Sequence, residues 1–277
     1  MITNLDNLVD GFGEQFKFLI FCVLYSEFLG KDFYYTPFKT MEHNYDNDKD
    51  FLKKKEDMIN FKNNFSLVTK DTDFEVPCKF KLISFIEKNI KFCETSKSLQ
   101  KIKDIFRIAN KDTYDKNFIN IAIHIRRMNK HDKENIKHYI QHPGTDVPNE
   151  LYQLLIKQLK NIYKNSKIHI YSQGEETDFP FDDVIFHLNE SIESTFINMV
   201  YADVLLIAPS SLSYTAGLLS NGIIYYIKHY HTPLSHWNKV TGYISSRDKY
   251  KFFMSIDDGK VYIPIQYNIF DEKFYIE

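Results

Sequence analysis

The sequence predicts an α/β protein whose C-terminal half is a doubly wound parallel sheet. From about Phe118 onward, short apolar segments alternate with amphipathic segments of helical period. Segments such as "VLLIA" (204–208) and "GIIYYI" (222–227) are apolar throughout, which is typical of strands covered on both faces. Strands that alternate with helices of about 10–15 residues indicate βαβ units and a parallel sheet.

The elements of this half follow one another regularly. The predicted strands are "INIAIHI" (119–125), "KIHIYSQ" (167–173), "DDVIFHL" (182–188), "DVLLIAPSS" (203–211) and "GIIYYIK" (222–228). The predicted helices between them are "NELYQLLIKQLKNIYKN" (149–165), "ESTFINMVYA" (193–202) and "LSYTAGLLS" (212–220). The boundary of this half is predicted near 112–120, which gives an N-terminal domain at 1–117 and a C-terminal domain at 118–277.

The N-terminal half has a less regular pattern. Apolar residues at spacings of three and four from Phe16 to Phe28 predict a mostly buried helix that ends at Gly30. A short strand follows in "KDFYYTPF" (31–38), and residues 39–63 are predicted as loop and then polar helix. Further on, "KFKLISF" (79–85) has the pattern of a strand, and "KSLQKIKDIFRIANK" (97–111) that of a helix.

Composition excludes several classes of function. The chain has 277 residues, with 35 Lys and Arg against 37 Asp and Glu, so its formal net charge is −2. This balance provides no global positive field for nucleic acid or an anionic membrane, so any anion site must be local. We therefore expect no nucleic-acid partner.

Cysteine usage and the first residues predict a soluble intracellular protein. The three cysteines lack disulfide-framework or zinc-ligand spacing. The start of the chain has no basic, apolar signal pattern, and "FKFLIFCVLYSEFLG" (16–30) is too short to cross a bilayer. We expect a soluble cytoplasmic protein without a membrane span. The DxD patterns at 46–48 and 71–73 follow no clear strand, and no metal site is predicted from them.

Three predicted strands end in unusually polar residues. In open α/β sheets, ligands bind beyond the carboxyl ends of the strands, so these residues are candidates for one site. They are His124, Arg126 and Arg127 after the first strand, Ser172 and Gln173 after the second, and Ser210, Ser211 and Ser213 after the fourth.

The chemistry of these groups suits a diphosphate. A guanidinium can hold phosphate oxygens bidentately, and hydroxyls with free N–H groups at a helix start can also hold an anion. Period-two geometry puts His124 and Arg126 on one face of their strand, with Arg127 opposite or at the tip. The alternative interpretation is that the arginines pair with carboxylates across the sheet while the serines merely cap a helix.

Three segments, in this order, resemble the fucosyltransferase superfamily that shares an HxRRxD-type motif and includes α1,2- and α1,6-fucosyltransferases. They are "DGFGEQFKFLIFCVLYSEFLGKDFYY" (10–35), "HIRRMNK" (124–130) and "ADVLLIAPSSLSYTAGLLSNG" (202–222). The resemblance implies a GT-B fold of two facing Rossmann-like halves. It also implies GDP-fucose as the donor, a glycan acceptor, inversion at the anomeric carbon and no obligatory metal or other cofactor.

The resemblance also implies roles for particular residues. His124 and Arg126 would contact the diphosphate, Lys130 a phosphate, and the three serines phosphate or ribose oxygens. Arg126 would stabilise the leaving charge, and Glu134 or Asp132 would be the general base. Gly11, Gly13 and Gln15 would shape the interdomain cleft.

The chain departs from the family pattern at three positions. Asn129 stands where an acidic residue is usual, and Leu212 stands where an aromatic residue is usual. Thr195 stands where an aspartate that reads guanine is common, and the nearby Glu193 is a possible substitute for that aspartate.

The sequence therefore predicts an inverting, metal-independent glycosyltransferase that transfers fucose from GDP-fucose. Two alternatives remain open. Thr195 favours a glycosyltransferase that uses another nucleotide sugar, and Asn129 favours a non-catalytic relative that binds a glycan or nucleotide. The single tryptophan, Trp237, lies in "HTPLSHWNK" (231–239), where it either stacks on a sugar or packs within a terminal loop.

Overall fold

The computed structural model describes residues 1–4, 10–69, 73–127, 147, 149–227 and 231–240, together with the backbone of 251–255 and 260–264. The chain divides into two compact units. Unit 1 comprises Met1–Asp112 with Leu218–Ser220, and unit 2 comprises Thr113–Gly217 with Asn221–Glu277. The division falls at the start of the predicted boundary region.

Unit 1 is mainly helical. Strand β1 (Ile2–Thr3) pairs in parallel with β2 (Phe33–Tyr34), and the intervening helix α1 (Phe12–Phe28) completes a small βαβ arrangement. Fourteen of the seventeen residues of α1 are buried. As predicted, Gly30 terminates this helix: it follows the C-cap residue Leu29, and its φ of 62° is left-handed. The remaining helices are α2 (Phe51–Ile59), α3 (Lys79–Lys88), α4 (Ile90–Thr95) and α5 (Lys97–Ala109), with a 3-10 turn at Phe61–Asn63.

The prediction of a strand at 79–85 is wrong, because this segment begins helix α3. Its buried residues are Leu82, Phe85 and Ile86, which have the spacing of one helical face. Read over seven residues, the alternation of lysines and apolar residues resembles a strand. The helical period becomes visible only when Ile86 is included.

Unit 2 contains the predicted parallel sheet. Its strands are β3 (Ile119–His124), β4 (Ser166–Ser172), β5 (Ile185–Leu188), β6 (Val204–Ile207), β7 (Ile223–Ile227) and β8 (Asn238–Val240). They form a six-stranded sheet in the order β5-β4-β3-β6-β7-β8, and every pairing is parallel. The described helices are α6 (Asn149–Ile162), α7 (Ile192–Tyr201) and α8 (Ser211–Leu219), whose last two residues belong to unit 1. Strands β9 (Lys251–Ser255) and β10 (Lys260–Pro264) pair antiparallel.

The two faces of β3 have different surroundings. Ile121, Ile123 and Ile125 belong to the apolar core that includes Leu155 and Leu159 of α6. The residues between them, Asn120, Ala122 and His124, are also buried, as expected for a strand covered on both sides. Among the described residues, no helix combines the length and apolarity needed to cross a membrane.

Candidate functional site

The strand order defines a position at the sheet edge where a ligand can bind. Across the sheet, β3, β4 and β5 follow one another toward one edge, whereas β6, β7 and β8 follow one another toward the opposite edge. The order therefore reverses between β3 and β6, which are hydrogen-bonded neighbours. In open α/β sheets, ligands bind outside the carboxyl ends of the strands at such a reversal.

The predicted basic segment lies on one side of this reversal. His124 is the last residue of β3 and is buried, and Arg126 and Arg127 beyond it are half-buried. Among the described residues, Nδ1 of His124 has no hydrogen-bond partner. Burial, reinforced by the charge of Arg126, lowers the pKa of His124 to about 3, so its imidazole is neutral at pH 7.

The two arginines have different surroundings. Arg127 donates from Nη2 to Oδ1 of Asn149, at 2.7 Å, and its guanidinium lies 5.8 Å from the ring centres of Tyr152 and Phe179. It therefore packs against the start of α6. The guanidinium of Arg126 donates to the carbonyl oxygen of Arg127. A guanidinium carries five N–H donors, so this bond is compatible with a bidentate contact to phosphate.

The predicted hydroxyl-rich turn lies on the other side of the reversal, between β6 and α8. The hydroxyl of Ser213 is fully buried and lies 3.3 Å from the carbonyl oxygen of Ala208 and 3.4 Å from that of Ser210. Oγ of Ser210 accepts from the backbone N–H of Leu212 at 3.3 Å. Ser210 and Ser213 thus contact the backbone of their own turn, as the helix-capping alternative expects.

Ser211 has a partner that the sequence did not indicate. Its Oγ lies 3.0 Å from Nε2 of His231, in the segment that follows β7. The ring of His231 packs on Tyr214 at 4.5 Å, and its carbonyl oxygen accepts from the hydroxyl of Tyr226. Trp237 is only 3% exposed and packs near Tyr214 and Tyr226, so it is part of this packed segment.

The predicted residues after β4 and β5 lie farther along the same edge. The hydroxyl of Ser172 donates to the carbonyl oxygen of Ile125 at 2.8 Å, which ties β4 to the end of β3. Gln173 is exposed, and Gly174 (φ 123°) exchanges two hydrogen bonds with the side chain of Asn189. Thr195 lies in the first turn of α7 and is half-buried.

The predicted residues of unit 1 support a loop. Nε2 of buried Gln15 donates to the carbonyl oxygens of Asp10 and Thr40, both at 2.8 Å. A Cβ on Gly11 would lie 2.7 Å from the ring of His43, so this close approach favours glycine. Gly13 is a buried residue of α1. Lys130, Asp132 and Glu134, like Asn129, lie outside the described residues.

A metal site is not assembled in the described part of the chain. There, no three His, Cys, Asp or Glu side chains come together in a group that could hold a metal ion. Of the DxD patterns, Asp48 forms a turn before α2, where it accepts from the N–H of Asp50 and pairs with Lys54 at 2.7 Å. The pattern at 71–73 lies partly outside the described residues.

Comparison with known proteins does not assign a family. No model of a known protein family matches the chain, and no curated protein matches it. Because an α/β sheet of this kind hosts many activities, function has to be inferred from the groups at its carboxyl edge.

Proposed function

We propose that unit 2 binds the diphosphate of a nucleotide sugar at the carboxyl edge of β3 and β6. The chain would be an inverting, metal-independent glycosyltransferase that transfers fucose from GDP-fucose to a hydroxyl of a glycan. The observation that carries this proposal is the position of two segments on neighbouring strands at the reversal. One contains His124 and Arg126, and the other contains Ser210 and Ser211.

The electrostatics of this edge suit an anion whose charge grows during reaction. In the transfer, the bond between the anomeric carbon and the β-phosphate oxygen breaks, and GDP leaves with the bonding electrons. Arg126 stabilises the charge that accumulates on this oxygen. Removing one such preorganised donor typically costs about 3 kcal/mol, or roughly a hundredfold in rate.

The acceptor step requires a base. The acceptor hydroxyl attacks the anomeric carbon from the face opposite the diphosphate, which inverts the configuration, and a carboxylate removes its proton. In this proposal the carboxylate is Glu134 or Asp132, and Lys130 contacts phosphate. The chain is then of the GT-B class, with unit 2 as the donor-binding domain and unit 1 as the acceptor-side domain.

The two histidines at the edge have complementary roles in this proposal. His124 is kept neutral by burial, so its imidazole adds no charge to the site. Its Nδ1 has no hydrogen-bond partner among the described residues and is covered by protein, so a ligand can reach it only after the covering groups move. His231 contacts the ligand only through Ser211, whose hydroxyl it orients.

A second candidate is a nucleotide-binding protein without transferase activity. The hydroxyls of Ser210 and Ser213 contact their own turn, and Arg127 packs on α6. Because of these contacts, fewer groups are available to bind or activate a ligand than the sequence predicted. A glycosyltransferase that uses another nucleotide sugar also stays open, because Thr195 stands where an aspartate would select guanine.

Calorimetric titration with a panel of ligands tests these proposals. The panel is GDP, GDP-fucose, GDP-mannose and UDP-sugars, each with and without a chelator, followed by transfer assays on a glycan library. The fucosyltransferase proposal expects tight binding of GDP and GDP-fucose that the chelator does not weaken, together with fucose transfer. Preference for a UDP-sugar would favour the other glycosyltransferase, and GDP binding without turnover would favour the binding protein.

A further inference from the structure

A chain of four polar side chains crosses three strands of unit 2. Glu190 Oε1 lies 2.8 Å from Nδ1 of His187, at the end of β5. Nε2 of His187 lies 3.0 Å from Nδ1 of His169, on β4. Nε2 of His169 lies 3.3 Å from Oδ1 of Asn120, on β3. The chain lies on the face of β3 opposite Ile121 and Ile123.

Both ends of this chain are hydrogen-bond acceptors. At one end is the carboxylate of Glu190, whose other oxygen accepts from the hydroxyl of Ser194 at 2.8 Å. At the other end, the amide nitrogen of Asn120 donates to the carbonyl oxygens of Asp115, at 2.9 Å, and Phe118, at 3.0 Å. A flipped amide would face those carbonyls with its own oxygen, so the network requires Oδ1 to face His169.

The number of protons follows from these end groups. The four groups make three contacts: Glu190 with His187, His187 with His169, and His169 with Asn120. Because the groups at both ends only accept, each contact needs one N–H hydrogen from an imidazole, and three hydrogens are required. Two neutral imidazoles supply only two. With one further proton, His187 donates to both Glu190 and His169, and His169 donates from Nε2 to Asn120.

We propose that the four side chains Glu190, His187, His169 and Asn120 together hold one proton more than two neutral imidazoles supply. This proton is carried as an imidazolium on His187, between Glu190 and a neutral His169. This proton stabilises the turn between β5 and α7. The inference rests on the contacts of the four side chains and is independent of the nucleotide-sugar proposal.

The charges around the pair favour His187 over His169 as the site of the proton. Glu190 contacts His187 directly, whereas the cation nearest to His169 on its own strand is Lys167, which pairs with Asp115 at 3.0 Å. Burial, His187 and Lys167 lower the pKa of His169 to about 4, so a second proton is excluded near neutral pH. Other polar neighbours among the described residues are Tyr171, which stacks on His187 at 4.6 Å, and Tyr114, which packs on His169. Asp203 accepts from the N–H of Asn120, and Ser194 donates to Glu190.

The proton affects the loops at the carboxyl edge through Asn189, which precedes Glu190 and has a left-handed φ of 57°. Its N–H donates to the carbonyl oxygen of Ser172 at 3.0 Å, and its side chain holds both backbone groups of Gly174. Loss of the proton leaves one contact of the chain without a hydrogen. The turn that joins the loops after β4 and β5 then loses support, so these loops open more readily as the pH rises.

Nitrogen NMR of the full chain labelled at histidine tests the proton count. At about pH 6, we expect His187 to show two protonated ring nitrogens and His169 only a protonated Nε2. Glu190→Gln should leave His187 with one protonated nitrogen at that pH, because the anion that holds the proton is gone. The matched control is Glu150→Gln, an exposed carboxylate in the first turn of α6, which should leave both spectra unchanged.

Amide exchange provides a second measurement. The protection factors of the Asn189 and Gly174 amides should fall about fivefold across the pH step at which the NMR spectra of the native chain show that the extra proton is lost. They should show no such step in Glu190→Gln. If both histidines of the native chain keep a single protonated nitrogen down to about pH 5, the proposal is wrong. That spectrum decides the question even if the variant does not fold.

Discussion

Nε2 of His231 lies 3.0 Å from Oγ of Ser211, at the first residue of α8. If this nitrogen carries the hydrogen, Ser211 accepts from His231 and its own O–H can point toward a ligand beyond the sheet edge. The orientation of one candidate phosphate donor therefore depends on a residue that lies twenty positions later in the chain.

The first prediction separates this orienting role from packing. In His231→Phe, the ring on Tyr214 is retained but the nitrogen is lost. We expect about fivefold weaker binding of GDP, the effect of roughly 1 kcal/mol for one hydrogen bond. Calorimetry should give a similar loss for Ser211→Ala, and the double variant should bind no worse than either single variant. Strictly additive losses would show that the two residues act independently.

The second prediction concerns the unpaired nitrogen of His124. A buried polar atom without a partner destabilises the fold, and Nδ1 of His124 has none within the described part of the chain. His124→Leu should therefore raise the free energy of unfolding at pH 7 by about 1–2 kcal/mol. The same variant should bind GDP more weakly, because a group of the site is lost. Urea unfolding and calorimetry measure the two effects. A variant that is less stable and binds as well as the native chain would assign His124 to packing alone.

The third prediction is the pH dependence of stability. The pKa of His124 falls from its ordinary value of 6.5 to about 3 on folding, so below pH 6.5 the unfolded chain takes up a proton that the folded chain does not. The stability that depends on keeping His124 neutral is therefore fully present above about pH 6.5 and is lost as the pH falls toward 3. The loss is about 1.4 kcal/mol for each pH unit.

Comparison with His124→Leu isolates this contribution from those of other groups. Between pH 7 and pH 5, the native chain should lose about 2 kcal/mol more stability than the variant. Urea unfolding at both pH values measures the difference. Parallel stability curves for the two proteins would mean that His124 titrates normally in the folded state.

The fourth prediction assigns Arg127 to the structure of the edge. Because it bonds Asn149 at 2.7 Å and covers Tyr152, Arg127→Leu should lower the free energy of unfolding by about 1–2 kcal/mol. A double-mutant cycle with Asn149→Leu should give a coupling energy of at least about 0.5 kcal/mol. An unchanged stability together with a large loss of GDP affinity would instead make Arg127 a direct ligand contact.

Local patterns were sufficient to predict most elements of unit 2. Strands β3, β6 and β7 were predicted correctly because they are buried on both faces and their apolar runs have few alternatives. Segment 79–85 was predicted wrongly as a strand because a short amphipathic helix with alternating lysines has nearly the same local pattern. Period alone does not separate the two at that length.

The composition of the candidate site was less predictable, since it depends on strand order and on contacts between distant segments. The sequence identifies polar strand ends, but the pairing of β3 with β6 decides which of them are neighbours. Likewise, Ser213 and Ser211 lie in the same motif, yet one hydroxyl contacts its own turn and the other contacts His231. His169 and His187 become neighbours only through the register of β4 and β5.

The central claim is that a diphosphate binds at the carboxyl edge of β3 and β6 through Arg126. Calorimetric titration of GDP into the native chain, Arg126→Ala and Arg126→Lys tests it directly, with Lys157→Ala, an exposed cation on α6, as the matched control. We expect both Arg126 variants to bind about 10- to 100-fold more weakly, since an ammonium cannot replace a bidentate contact, and the control to bind like the native chain. Equal affinity of the native chain and Arg126→Ala for GDP would contradict the claim.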